Sequence, residues 1–246
     1  MKLLATLFGI AVATTLAAGG ARAQDEGGIA INWNGCIGDG VVERSTFACN
    51  TNVGTSFVLY VSLIPPVDMP QFAATTAIVD VYVSGGTVPP WWQAGAGQCR
   101  PGAISMSFDP AGFSTSCPDL WLGLAPMSVF ALQFGVYGRP DLVRLYGGAA
   151  VPVGTEFLLP ADGVERTVSR FVITSARTTG ANACSGCATC AVFEPRECNL
   201  QQPNPLSSYR LTRVFAPWPF KRWWNGNCDP TPTQNRSWGQ IKGLYR

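Results

Sequence analysis

Short runs rich in β-branched and aromatic residues recur along the chain, at 29–33, 56–63, 77–83, 103–108, 129–137, 142–146, 155–159, 167–174 and 208–215, separated by clusters of Gly, Pro, Asn and Asp. Each run is too short for an ordinary helix, and the spacing is that of strands joined by turns. In Val79-Asp80-Val81-Tyr82-Val83 and in Thr167-Val168-Ser169-Arg170-Phe171-Val172-Ile173, apolar and polar positions alternate, so one set of side chains faces a core and the other faces water. So many strands do not lie in one flat sheet without stacking or closing. The pattern predicts an all-β chain, a two-sheet sandwich of jelly-roll or immunoglobulin-like type, as a single domain over 24–232. Pro65-Pro66, Pro89-Pro90, Pro203 to Pro205 and Pro217 to Pro219 fall between runs as turns, and no Ser/Gly-rich or Pro-rich linker divides the chain.

The two ends break this pattern. Lys2, the apolar run from Leu3 to Ala18 and the small residues around Ala21-Arg22-Ala23 predict a signal peptide over 1–23, cleaved before Gln24. The run is too short for an anchor and no later segment is apolar enough to span a bilayer, so the mature chain is expected to be exported without a transmembrane segment, to the periplasm, cell surface or exterior. At the other end, Trp238, Ile241, Leu244 and Tyr245 share one face of a short C-terminal helix in an amphipathic tail over 233–246. That face is expected to pack on the sandwich.

Composition narrows the chemistry. Apolar residues make up 47% of the chain and charged residues 13%, and histidine is absent. This is a folding composition, and the missing histidine removes Ser-His-Asp triads, Cys-His nucleophile pairs and His-ligated zinc hydrolases together. Without Lys2 and Arg22, the remaining basic residues match the 15 acidic ones, which argues against a nucleic-acid partner. The basic residues crowd toward the C-terminus, as Arg196, Arg210, Arg213, Lys221, Arg222, Arg236, Lys242 and Arg246. A dispersed set of this kind is ordinarily a solvated face, although a glycan or cell-envelope component is a possible partner.

The nine cysteines are the densest local signal: Cys36, Cys49, Cys99, Cys117, Cys184, Cys187, Cys190, Cys198 and Cys228. In an oxidising compartment the expectation is four disulfides and at most one thiol left over, either free or in an intermolecular bridge. Local pairs, Cys36 with Cys49 and Cys99 with Cys117, would each close a loop of roughly 15 residues. The Cys184 to Cys190 cluster also has the spacing of a zinc or iron-sulfur site or of a redox dithiol, but the compartment favours disulfides, so no metal or cofactor is assigned.

The tryptophans are the candidate ligand-binding residues. Trp91 and Trp92 follow a proline pair, and Trp223 and Trp224 follow Trp218-Pro219-Phe220-Lys221-Arg222. Such rings in loops stack on sugars, whereas core filling is the alternative; on a strand, only one of two adjacent rings faces a given surface. For catalysis, a carboxylate pair is the surviving route, and no pair among the acidic residues is marked, so no catalytic residue is assigned.

The segments Ile31-Asn32-Trp33-Asn34-Gly35-Cys36 and Phe47-Ala48-Cys49-Asn50-Thr51-Asn52, the Cys184 to Cys190 cluster and the ending from Thr231 to Arg246, with its Trp-Gly-x-Ile-Lys-x-Leu-Tyr-Arg, resemble an uncharacterised family of exported bacterial β-rich proteins. The resemblance covers most of the mature chain and implies no activity and no functional residue. Cys198 is an addition to that family's cysteine pattern, which accounts for the odd count. The leading expectation is a non-enzymatic exported structural or adhesive surface protein. A carbohydrate-binding module using the loop tryptophans stands second, and a histidine-free carboxylate-pair hydrolase third.

Overall fold

A computed structural model describes residues 27–54, 56–212 and 221–225. The predicted signal segment, the predicted C-terminal tail helix, and Cys228 lie outside the described residues. The strands are β1 (Gly28–Trp33), β2 (Arg44–Ser45), β3 (Phe57–Ile64), β4 (Met69–Phe72), β5 (Ala74–Val83), β6 (Ile104–Ser107), β7 (Met127–Phe134), β8 (Leu142–Ala150), β9 (Phe157–Leu159), β10 (Arg166–Ile173), β11 (Ala191–Gln201), β12 (Tyr209–Leu211) and β13 (Arg222–Trp224). Helical structure among the described residues is confined to three-residue 3-10 turns, such as Pro90–Trp92 and Val136–Gly138.

Two sheets form the sandwich. One has the order β1-β3-β10-β6, and the other has the order β2-β13-β11-β5-β8-β7 with β12 beside β11; β4 and β9 form a small separate ribbon. Alternation sets the core: Ile29, Ile31, Leu59, Val61, Leu63 and Phe171 of the first sheet and Val79, Val81, Val143, Leu145 and Phe193 of the second are buried in one cluster. The all-β sandwich expected from patterning is the observed fold.

The longest strand, β11, is absent from the runs that patterning picks out. It lies at the centre of its sheet yet contains Glu194, Pro195, Arg196 and Glu197, a string that argues against a central strand. The register against β5 shifts between Pro195 and Glu197. This bulge takes up the proline, inserts Arg196 as an extra residue on the outer face and reverses the alternation, so that Ala191 and Phe193 before it and Cys198 and Leu200 after it all face the core.

The local disulfide pairing is overturned. The bonds are Cys36–Cys117, Cys49–Cys187 and Cys99–Cys184, with sequence separations of 81, 138 and 85. The reason is topological: between Cys36 and Cys49 the chain crosses from the first sheet, at β1, to the second, where β2 pairs in parallel with β13. Cys36 and Cys49 are thereby carried to different parts of the sandwich, and each pairs with a loop distant in sequence. Cys190 is also disulfide-bonded, so the Cys184 to Cys190 cluster holds disulfide sulfurs and not thiolate ligands. The odd cysteine is Cys198, which is fully buried beside the Thr75 hydroxyl, with Oγ1 and Sγ 3.1 Å apart. Burial pushes its thiol up to about 12. The expected intermolecular bridge through the odd cysteine is therefore corrected: this sulfur faces the core and offers nothing to a second chain.

Candidate functional site on the outer sheet face

The four candidate tryptophans do not share a surface. Trp91, Trp92 and Trp224 are at most 1% exposed. Trp224 is stacked on Phe47 at 4.4 Å between ring centroids and lies within 6 Å of Trp33, Trp91 and Trp92. The Pro90–Trp92 turn points both of its tryptophans inward, and β13 sends Trp224 inward and Trp223 outward. Trp223 is half-buried, with the Arg44 guanidinium 5.8 Å from its ring. Arg100 closes the cluster from below. Its guanidinium lies 3.6 Å from the Trp91 ring and donates to the carbonyls of Trp91, Thr174 and Ala176. Burial lowers this arginine to about 10. Together these residues fill and lock the core end that carries the Cys49–Cys187 and Cys99–Cys184 bonds.

The acidic side chains that converge near Cys36–Cys117 are also spent on holding loops. Glu165 accepts from the backbone N–H of Ile37 (2.9 Å) and Gly38 (3.0 Å) and from the Ser62 hydroxyl (2.5 Å). Burial alone would raise Asp39, but hydrogen bonds from Ser116, Thr115 and the Cys36 N–H outweigh it and bring the carboxyl to about 2. Asp39 is thereby engaged in holding the Cys36 turn to the Thr115-Ser116 loop. The sulfurs of Cys36 and Cys117 approach Glu165 closely enough to suggest metal ligands, but the disulfide occupies both.

The remaining concentration of chemistry is on the outer face of the seven-stranded sheet, at positions alternating with the core. Asp80 of β5 lies opposite Arg144 of β8 on one side and Glu194 of β11 on the other. Arg144 grips Asp80 with two bonds, from Nε to Oδ1 at 2.8 Å and from Nη2 to Oδ2 at 3.0 Å. Arg196, the extra residue of the bulge, places its Nε 3.2 Å from Oδ2. Asp80 is thereby fully covered on a face that otherwise meets water. Hydrogen bonding to Asp80 holds Arg144 above the ordinary arginine value. Around this pair Glu197 binds Arg210, and Lys221 lies 3.1 Å from Glu194. Three members of the predicted basic C-terminal face, Arg196, Arg210 and Lys221, are therefore ion-paired.

Above the network stands Tyr137. Strand β7 ends at Phe134; Gly135 is left-handed, and Tyr137 itself has φ 59° and ψ 25°, an unfavourable conformation for a bulky side chain. The turn holds its ring 69% exposed. Arg144 Nη2 donates to the Tyr137 hydroxyl at 3.0 Å, which holds the phenol below the ordinary tyrosine range, and the guanidinium carbon lies 4.9 Å from the ring centroid. Ile78, Tyr137, Arg144, Glu194, Arg196, Glu197 and Arg210 line a pocket of about 310 Å³. Sequence patterning runs the preceding strand through Tyr137; the signal that marks the turn is the pair of glycines, Gly135 and Gly138, on either side of Val-Tyr, both with positive φ.

Among the described residues no helix is long and apolar enough to cross a membrane. No family model matches the chain, and no curated protein matches it. Among solved structures the chain is similar to a cohesin module from a family 33 glycoside hydrolase of Clostridium perfringens ATCC13124, at 10% sequence identity and a TM-score of 0.31, over 76% of this chain and 96% of that one.

Proposed function

We propose that this protein is an exported, non-enzymatic binding module of the cell surface or periplasm, and that its outer-face pocket at Tyr137 takes a saccharide. The observation that carries the proposal is the left-handed, exposed Tyr137 seated on the Asp80–Arg144 pair. A tyrosine kept in a costly backbone conformation and presented to solvent is a feature that packing does not require. Three arginines (Arg144, Arg196 and Arg210) meet three carboxylates (Asp80, Glu194 and Glu197) at this site. The pocket therefore offers many donors and acceptors with little net charge, which suits a polyhydroxyl ligand more than an anion or a cation. The exposed ring supplies the flat apolar surface on which a sugar stacks. The three disulfides within the described residues, spanning distant loops, suit an oxidising exterior.

The test is a glycan array followed by titration calorimetry with the wild-type chain, Tyr137→Ala and Tyr137→Gly. The expected outcome is a saccharide bound by the wild type and at least tenfold more weakly by both variants, with Tyr137→Gly no less stable than wild type because glycine accepts φ 59° without penalty. Silence across the array, or affinity unchanged in both variants, overturns the reading.

A further inference from the structure

Among the described residues, the outer edge of β7 pairs with no strand. The other sheet edges are protected: β2 and β12 have two and three residues, β6 has four, and all six residues of β1 are buried. β7 has eight residues, Met-Ser-Val-Phe-Ala-Leu-Gln-Phe, with no charge and no proline, in unbroken register against β8, and none of them is fully buried. Charge, proline, bulges and shortness are the usual means by which an edge is kept from pairing, and β7 has none of them.

The direction of its free hydrogen-bonding groups follows from two bonds. Gly135 N donates to Leu142 O, and Val83 N donates to Asp141 O. In antiparallel ladders a residue's N–H and C=O point to the same side, and successive residues alternate. Both bonds therefore require that the even-numbered residues of β8 and the odd-numbered residues of β7 bond each other. The N–H and C=O groups of Ser128, Phe130, Leu132 and Phe134 point away from β8, to the open edge.

We infer that β7 is a self-association edge, pairing antiparallel with β7 of a second copy about a two-fold axis at Ala131. In that register Phe130 meets Leu132 of the other copy and Ser128 meets Phe134, so that all the edge-facing residues find partners, with about eight hydrogen bonds formed. Core-facing side chains lie beside core-facing ones, because even positions pair with even. The residue that meets itself, in a close pair without hydrogen bonds, is alanine, the smallest side chain of the strand and the one a self-opposed tight contact needs. On the outer side Val129 lies next to Gln133, and no like charges meet. A second copy is the occupant favoured because the strand is complementary to itself about its own middle, a property that an unrelated extended peptide would not require. The same axis is perpendicular to the sheet, so it turns the outer faces of both copies to one side.

Sedimentation velocity on the full exported chain tests this, with Ala131→Lys to set like charges at the axis and Ala131→Cys to report the register. The wild type is expected to be a dimer at micromolar concentration. Ala131→Lys is expected to be a monomer that melts with the wild type when both are diluted to where the wild type is itself monomeric, since Ala131 is exposed on the outer face. Under mild oxidation Ala131→Cys is expected to form a covalent dimer, whereas Gln133→Cys, which would face Val129, is not. Wild-type protein that stays monomeric at roughly 100 μM, or a dimer that Ala131→Lys leaves intact, overturns the proposal. Cross-linking through Gln133→Cys in preference to Ala131→Cys overturns the register.

Discussion

The inner and outer faces of the seven-stranded sheet are built by the same strands, one residue out of step. Val81 and Asp80 are neighbours on β5, and both are fully buried. Val81 is buried by aliphatic and aromatic side chains from the opposing sheet, a non-directional packing that depends on volume. Asp80 is buried by Arg144 and Arg196 lying over it on the sheet's own outer surface, an arrangement that depends on distances and angles. Equal exposure thus conceals opposite physics. The core that the inner face covers holds five tryptophans, Trp33, Trp91, Trp92, Trp121 and Trp224, among the largest fully buried side chains, of which Trp224 comes from this sheet. The outer face raises the exposed ring of Tyr137 over a charged floor.

Three measurements would break or sharpen that contrast. The largest effect is expected on the inner face: Trp224→Ala removes the ring that touches Phe47, Phe57, Trp33, Trp91 and Trp92, and should cost about 3–5 kcal/mol. The urea midpoint reads this directly, and a loss below about 1 kcal/mol would show that the cluster is not the core it resembles.

A smaller loss, about 3 kcal/mol, is expected for Asp80→Ala, which strands Arg144 on the outer face. Most of that loss should return in the double variant Asp80→Ala with Arg144→Met, because replacing both partners removes the uncompensated charge. Additive losses in the double variant would mean that packing, and not the ion pair, holds this face.

The smallest effect separates the faces by pH. Burial opposes ionisation of Glu197, but bonds from Arg210 and Asn199 prevail and hold its carboxyl below the ordinary range. A depressed carboxylate contributes stability that is complete above its unfolded value, near 4.3, and is lost as pH falls through the lower folded value. Urea midpoints should therefore decline below about pH 4, and Glu197→Gln should flatten part of that decline. Trp224→Ala should leave its slope unchanged, since the aromatic cluster has nothing to titrate there. An identical acid slope in wild type and Glu197→Gln would remove Glu197 from the outer network.

Much of the strand framework was legible in local pattern, because alternation is a property of a few consecutive residues and survives whatever the rest of the chain does. Runs such as 77–83 and 167–174 became β5 and β10 with the faces their alternation implies. By contrast, β11 was hidden: its bulge at Pro195 to Glu197 breaks the period, and a proline in a central strand is acceptable only where the neighbouring strand accommodates it. The disulfides were beyond local reasoning for a related cause. Pairing depends on which loops meet in space, and the crossing from one sheet to the other between Cys36 and Cys49 is set by sheet order. The tryptophans were conspicuous by residue type, but a ring beside prolines is equally suited to a core or to a surface, and only the opposing sheet decides between them. Tyr137, Asp80 and Arg144 carry no signal by spacing, since they come from separate elements that the β5–β8 register brings opposite one another. What this sequence determined by itself was therefore which residues alternate and where the chain turns; which faces met, which cysteines joined and which aromatic reached solvent were decided by long-range strand pairing, whose energy lies in contacts between residues far apart in the chain.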